Sequence, residues 1–332
     1  MKQRLHYIDQ LKGFAILLVV VGHVIEWCFN ETSTSLLYRI IYSFHMPLFA
    51  FMSGFVFRGE SNFMESLKKF GKQTERLMLP FLVVGLIYSY SVLHLNYEAF
   101  FQHLYKQGYW YLLFLLQCYL LTHIYHIFIG KRFENKLNLS IVSDLIFLCI
   151  IFVLLRFVPK FTVISQIIGF YHLFHLYPFF FVGYMVKKTN ASNRLFSNSY
   201  NLSDISFIVY IIMFIGSYYW KPTAVKQLLL AALAIFPIIC LFYKKRNIQS
   251  YAYRELETFG RYSLEIYVFH YFLIQNCNMT IMGDYIKISG NHCFEILVSL
   301  IISLIIAYIC VLASSLIHES KILSFLLLGN RK

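Results

Sequence analysis

Residues 7–27, YIDQLKGFAILLVVVGHVIEW, carry Asp9 and Lys12 at one end and His23 and Glu26 near the other, around an apolar or small run over 13–21. Histidine is the side chain that ordinarily titrates near neutral pH, so in a wet site it can take a proton from a hydroxyl. Glu26, three residues on, can orient the imidazole or help the proton leave. On a helix of 100° per residue the four side chains share an arc of about 100°. Lys12 and His23 are nearly in line, roughly 16 Å apart along the axis. Ionisable groups at such depth usually face a bundle interior or a wet cavity. The other reading has Lys12 reaching to the headgroups and His23 and Glu26 near the outer interface.

A second polar alignment lies late in the chain. Gly260, Ser263, Tyr267 and His270 fall within about 80° on a helical wheel. Tyr267 and His270 can donate to a carbonyl or an acceptor hydroxyl, or the face can be a small-residue packing surface with a buried histidine. His45 precedes Met46-Pro47 and either touches an acceptor or sits at an interface. Trp110 and Tyr109 can form a stacking wall.

These residues need elements to hold them, and composition names the medium. The chain has 332 residues, 59% hydrophobic and 19% aromatic but 14% charged, with mean hydropathy +0.62. Soluble domains carry about 25% charged residues, so a soluble surface of this size is excluded. Ten apolar runs approach bilayer length, at about 11–29, 36–57, 77–93, 109–129, 143–158, 164–186, 205–220, 225–243, 259–280 and 294–318. Lipid offers no partner to free backbone groups, so the spans are helices; they are too long and uniformly apolar for barrel strands. The first is not a cleaved signal peptide, because no small-residue cleavage site follows it. The expected fold is an all-α polytopic transmembrane bundle of about ten helices, a single domain over 1–332.

With the N-terminus inside, 22 of the 29 Lys and Arg residues fall on inner segments and 7 outside. Both termini are then cytoplasmic, in an inner membrane. The net charge of +13 is thus mainly a topology signal. The basic residues are dispersed among short loops, so nucleic acid is not an expected partner. The seven cysteines form no metal-site spacing, and no metal is expected. Cys277 and Cys293 flank one outer loop, where a bridge and two free thiols are both open.

Six stretches, in order, resemble the acyltransferase 3 family of integral-membrane acyltransferases. YIDQLKGFAILLVVVGH resembles its first helix, a basic residue followed by ten others and a histidine. Lys12 stands where arginine is common and lacks the bidentate fork. FHMPLFAFMSGFVF (44–57), with Ser53 at its core, KQTERLMLP (72–80), WYLLFL from Trp110, FFFVGY (179–184) and FGRYSLEIYVFH (259–270) resemble later signatures. The set is most similar to the branch of fucose 4-O-acetylase-like sugar acetyltransferases. The resemblance implies an O-acetyltransferase in a lipid bilayer. It would move acetyl from cytoplasmic acetyl-CoA to a saccharide hydroxyl, on a surface polysaccharide or its lipid-linked precursor. His23 and Glu26 would be catalytic. Lys12, Lys72 and Arg76 would grip the polyanionic donor, while Lys68 and Lys69 read better as ordinary inner-side charge. Asp9, His45, Ser53, Trp110, Tyr267 and His270 would line the acceptor. A transporter or exporter of acylated sugars is the competing class. Against it stands the lack of matching Gly/Pro-broken helices in two halves.

Overall fold

Each of the ten apolar runs falls on helix in the computed structural model, which describes residues 5–60, 62–133, 136–158, 162–197, 200–219, 223–248 and 250–330. Lys2, Arg4, Lys160, Lys221, Arg331 and Lys332 of the charge count lie outside the described residues. In chain order come α1 (His6–His23), α2 (Leu36–Val56), α3 (Phe63–Ser91), α4 (Tyr97–Gln102), α5 (Trp110–Phe128), α6 (Leu137–Phe157), α7 (Val163–Ile168) and α8 (Phe170–Lys188). They are followed by α9 (Ser192–Ser197), α10 (Tyr200–Gly216), α11 (Ala224–Lys244), α12 (Tyr251–Arg261), α13 (Ser263–Ile274), α14 (Thr280–Ser289), α15 (His292–Glu319) and α16 (Lys321–Leu328). Among the described residues the regular structure is all helical.

Among the described residues six segments are long and apolar enough to cross a membrane: His6–Cys28, Trp110–Phe128, Leu137–Phe157, Val163–Lys188, Ala224–Lys244 and His292–Glu319. The other four expected spans depart from that form for local reasons. α2 carries Arg39 and His45. α3 begins well before residue 77, because the basic stretch entering it is itself helical. α10 contributes a shorter apolar helix, Asn201–Gly216. The ninth span is two helices, α12 and α13, separated at Tyr262, which leaves helical geometry at φ −98°, ψ 20°. The wheel drawn through Gly260 to His270 therefore does not hold. The apolar side chains of α6, α10 and α15 are widely exposed, as with Leu154, Ile212 and Leu312. Such faces suit lipid rather than water.

By contacts the chain forms two compact units, Met1–Phe49 with Ser192–Leu316, and Ala50–Ala191 with Ile317–Lys332. In the first, α1 is the central element and packs on α12, α13 and α11. Its crossing with α12 is a reciprocal glycine contact. A Cβ on Gly13 would sit 1.7 Å from the Leu256 carbonyl oxygen, and one on Gly260 would sit 1.7 Å from that of Asp9. Only glycine lets the backbones approach this closely. Gly260 is thus a packing residue and not part of a polar face.

At the far end of α1 the chain folds back on itself. The Met279 N–H donates to the Cys28 carbonyl at 2.9 Å. Cys277 and Cys293 are both free thiols, so the bridge left open above is not formed. The Cys28 thiol donates to the Ile274 carbonyl at 3.8 Å.

In the second unit α3 packs on α5 and α16, and α6 on α8. The SGF signature is a helix crossing: a Cβ on Gly54 would meet the Phe180 carbonyl oxygen at 1.7 Å, and one on Gly183 the Phe51 oxygen at 2.1 Å. Lys188 pairs with fully buried Asp144 at 2.8 Å, and the Tyr125 hydroxyl donates to the same carboxylate oxygen at 2.5 Å.

Candidate active site

α1 ends as an α-helix at His23 and continues as a π-helical turn, Val24–Cys28. Turns of this kind recur at functional sites. Glu26 lies within this one, three residues after His23. His23 Nδ1 lies 3.3 Å from Glu26 Oε2. A carboxylate only accepts, so the proton of this bond sits on Nδ1 and the Nε2 lone pair is left for chemistry. The Tyr271 hydroxyl lies 2.9 Å from that Nε2 and donates to it.

The carboxylate is held from a second side. The Tyr42 hydroxyl donates to Glu26 Oε2 at 2.7 Å and also lies 3.4 Å from His23 Nδ1. Trp27 packs edge-on to the Tyr271 ring, centroids 6.3 Å apart. His45 is buried, spends its Nδ1–H on the Ile41 carbonyl at 2.8 Å, and packs its ring 4.8 Å from Tyr42. It packs against Tyr42 from inside the first unit.

His270 is fully buried with its ring stacked on that of His23 at 5.4 Å. It donates Nδ1–H to the Ile266 carbonyl at 2.9 Å. Its Nε2 has no hydrogen-bond partner among the described residues, which leaves an acceptor beside His23. Tyr267 packs its ring 6.1 Å from His270. Together, α1 with its π turn, α2 and α13 hold His23, Glu26, Tyr42, His45, His270 and Tyr271 in one site of the first unit.

Asp9 and Lys12 belong to the same unit but sit at the opposite end of α1, half-buried near the α12 crossing. The remaining sequence candidates are in the second unit. Lys72 and Arg76 are exposed on α3, whereas Lys69 is committed to Glu60 and the Arg58 carbonyl. Ser53 is buried with its hydroxyl 3.5 Å from that of Tyr111. Trp110 lies flat on His172, centroids 3.9 Å apart, and Tyr109 is fully buried. Trp110 thus spends one face on His172 and has Tyr105, Tyr111 and Phe114 around it.

Tyr42, Trp27 and Tyr271 were missed by sequence reasoning. Tyr42 had a signal, since it stands one turn before His45. Tyr271 follows His270 and lies four residues after Tyr267, so it shares their helix face. The π turn has no local sequence signature.

Among the described residues no three His, Cys, Asp or Glu side chains gather as metal ligands. No solved structure matches the chain. It is 25% identical over 195 residues to "Nodulation protein NolL" of Sinorhizobium fredii (strain NBRC 101917 / NGR234), covering 54% of this chain and 48% of the relative. Over 78 residues it is 31% identical to "Nodulation protein NolL" of Mesorhizobium japonicum (strain LMG 29417 / CECT 9101 / MAFF 303099), covering 22% and 21%. The chain spans at most about half the length of these curated relatives. A family model described as an acyltransferase domain matches residues 5–318. With that match over nearly its whole length, the chain belongs to the acyltransferase 3 family of membrane proteins.

Proposed function

We propose that the protein is a membrane O-acetyltransferase that moves acetyl from cytoplasmic acetyl-CoA to a hydroxyl of a surface polysaccharide or its lipid-linked precursor. The observation that carries this reading is the chain Glu26–His23–Tyr271. It presents a histidine with its proton on the carboxylate side and its lone pair on the side where a hydroxyl already sits.

The acceptor hydroxyl attacks the thioester carbonyl carbon and its proton passes to His23 Nε2, directly or through Tyr271. Glu26 stabilises the imidazolium that forms. The carbonyl electrons move onto oxygen, then return as the C–S bond breaks, and His23 gives its proton to the departing thiolate. The products are the O-acetyl ester and free CoA. His270 Nε2 accepts a hydrogen bond from the acceptor, fixing which hydroxyl is presented. Lys72 and Arg76, exposed and without a salt bridge among the described residues, are donor grips on the second unit. Lys12 serves the same end from α1, and Asp9, Ser53, Trp110 and Tyr267 are acceptor-side residues in this reading.

The test is transfer of radiolabelled acetyl to glycan by purified protein. A base is worth about 10²- to 10⁴-fold in rate, so His23→Ala and His23→Gln should lose that much while still inserting, because neither adds a charge. Substantial transfer by well-folded His23→Gln would remove the base assignment. Vesicle uptake of saccharide without label transfer would favour a carrier.

A further inference from the structure

A cavity of about 490 Å³ opens in the first unit between the start of α1 and the segment from α11 into α12. Its walls carry three guanidinium groups, from Arg246, Arg254 and Arg261, and one carboxylate, Glu257. Glu257 is already engaged, accepting from His6 Nδ1 at 2.9 Å and from Arg261. Burial works against its charge, but those hydrogen bonds hold its carboxyl below the usual range. Arg246 is anchored with its guanidinium 4.3 Å over the Tyr243 ring and one N–H on the Tyr243 carbonyl at 2.8 Å, which leaves its other donors free to point elsewhere. Arg254 is exposed and makes no ion pair among the described residues. Gln10 also lines the cavity, 4% exposed, with its side-chain oxygen unpartnered among the described residues.

Inner-side charge alone does not account for this arrangement. Topology charges are solvated and dispersed, whereas here three guanidiniums face one space that also meets a buried amide lacking a partner. A buried amide oxygen without a hydrogen bond is costly unless a ligand supplies one. The volume lies in the range of small-molecule sites and is far larger than an inorganic ion needs.

We propose that this cavity binds the phosphate groups of a nucleotide-sized organic phosphate, gripped by Arg246, Arg254 and Arg261, with Gln10 accepting a hydrogen bond from the ligand. Arginine forks match phosphate oxygens in charge and geometry. Under the acetyl-transfer reading, on which this identification rests, the ligand is the phosphorylated nucleotide end of the donor. The same chemistry fits the headgroup of an anionic phospholipid, and the experiment separates the two.

Full-length protein is placed in nanodiscs of neutral phosphatidylcholine and titrated with adenosine 3′,5′-bisphosphate. Binding should appear, weaken with added salt, and fall about 100-fold in the R246Q/R254Q double variant, at about tenfold for each lost charge-assisted contact. Gln10→Leu should weaken it by a smaller factor. Should the double variant fail to fold, R254Q alone changes an exposed side chain and is expected to cost about tenfold. In a second arm, discs containing phosphatidylglycerol are used. If the bisphosphate does not bind but phosphatidylglycerol retention falls in the variant, the site stands and the headgroup is its ligand. Equal affinity of wild type and folded variant, or binding of neither ligand, overturns the proposal. The assay needs no turnover. Protein that binds the bisphosphate but never transfers acetyl would refute the enzyme reading and leave the cavity assignment standing. Transfer with an unchanged donor KM and unchanged binding in the variant would refute the cavity alone.

Discussion

In the proposed reaction the role of His23 depends on its two ring nitrogens having different partners. Glu26 takes the N–H, and Tyr271 occupies the lone pair. In the proposed reaction Tyr271 must either pass the acceptor's proton to Nε2 or turn its hydroxyl onto the developing oxyanion. Both roles end when the hydroxyl is removed. Tyr271→Phe is therefore expected to lower kcat by about 10²-fold, the scale of a lost transition-state donor, with donor KM nearly unchanged. Glu26→Gln keeps a side-chain oxygen for the Nδ1–H and should cost only about tenfold. Steady-state rates for the two variants check this. An unaffected Tyr271→Phe would reduce Tyr271 to a packing neighbour.

At the scale of elements, irregular backbone carries the polar chemistry. The π turn after α1 carries Glu26, which meets His23. In the second unit, Lys106, Gln107 and Gly108 all have positive φ, 47°, 51° and 100°. Left-handed non-glycine residues cost about 1–3 kcal/mol each unless their surroundings hold them. Here the buried Lys106 amine is the clasp, donating to the His103 carbonyl at 2.8 Å and the Gln166 carbonyl at 2.7 Å. A neutral amine has two N–H groups for these two carbonyls, and burial pushes the Lys106 pKa down to about 8. An unfolded lysine keeps its proton to about pH 10.4. Between those values the unfolded state binds more protons, so folded stability rises with pH across that window. Thermal unfolding in detergent at pH 7.5 and 9.5 should show wild type gaining relative to Lys106→Met. No difference in pH response would mean that the amine is solvated.

At the scale of the whole molecule, the expected sidedness rests on the 22 to 7 split of Lys and Arg. Lys72, Arg76 and the cavity arginines all belong to segments assigned to the inner side by that rule. A fluorescent reporter that folds only in the cytoplasm, fused after residue 332, should be active, and a phosphatase active only outside should be silent. The opposite pattern would put every proposed donor contact on the wrong side for a cytoplasmic donor.

Composition and the length of the apolar runs by themselves determined that this is a helical membrane protein, because free backbone groups find no partner in lipid and the runs are too long and uniformly apolar for barrel strands. The spacing of Lys12, His23 and Glu26, with the ordered signatures, was enough to identify the family and place a histidine at the end of the first helix. Type and periodicity are local properties, and these are local facts. Tertiary structure alone decided what surrounds His23: Tyr42 and Tyr271 come from 19 and 248 residues away, and no spacing rule encodes such contacts. It likewise decided that Gly260 is a crossing point, that Cys277 and Cys293 stay free thiols, and that the ninth span breaks at Tyr262. Arg246, Arg254 and Arg261 read as ordinary inner-side charge along the chain. They became the walls of one cavity only when α12 packed across the glycine of α1, which brought Gln10 beside them.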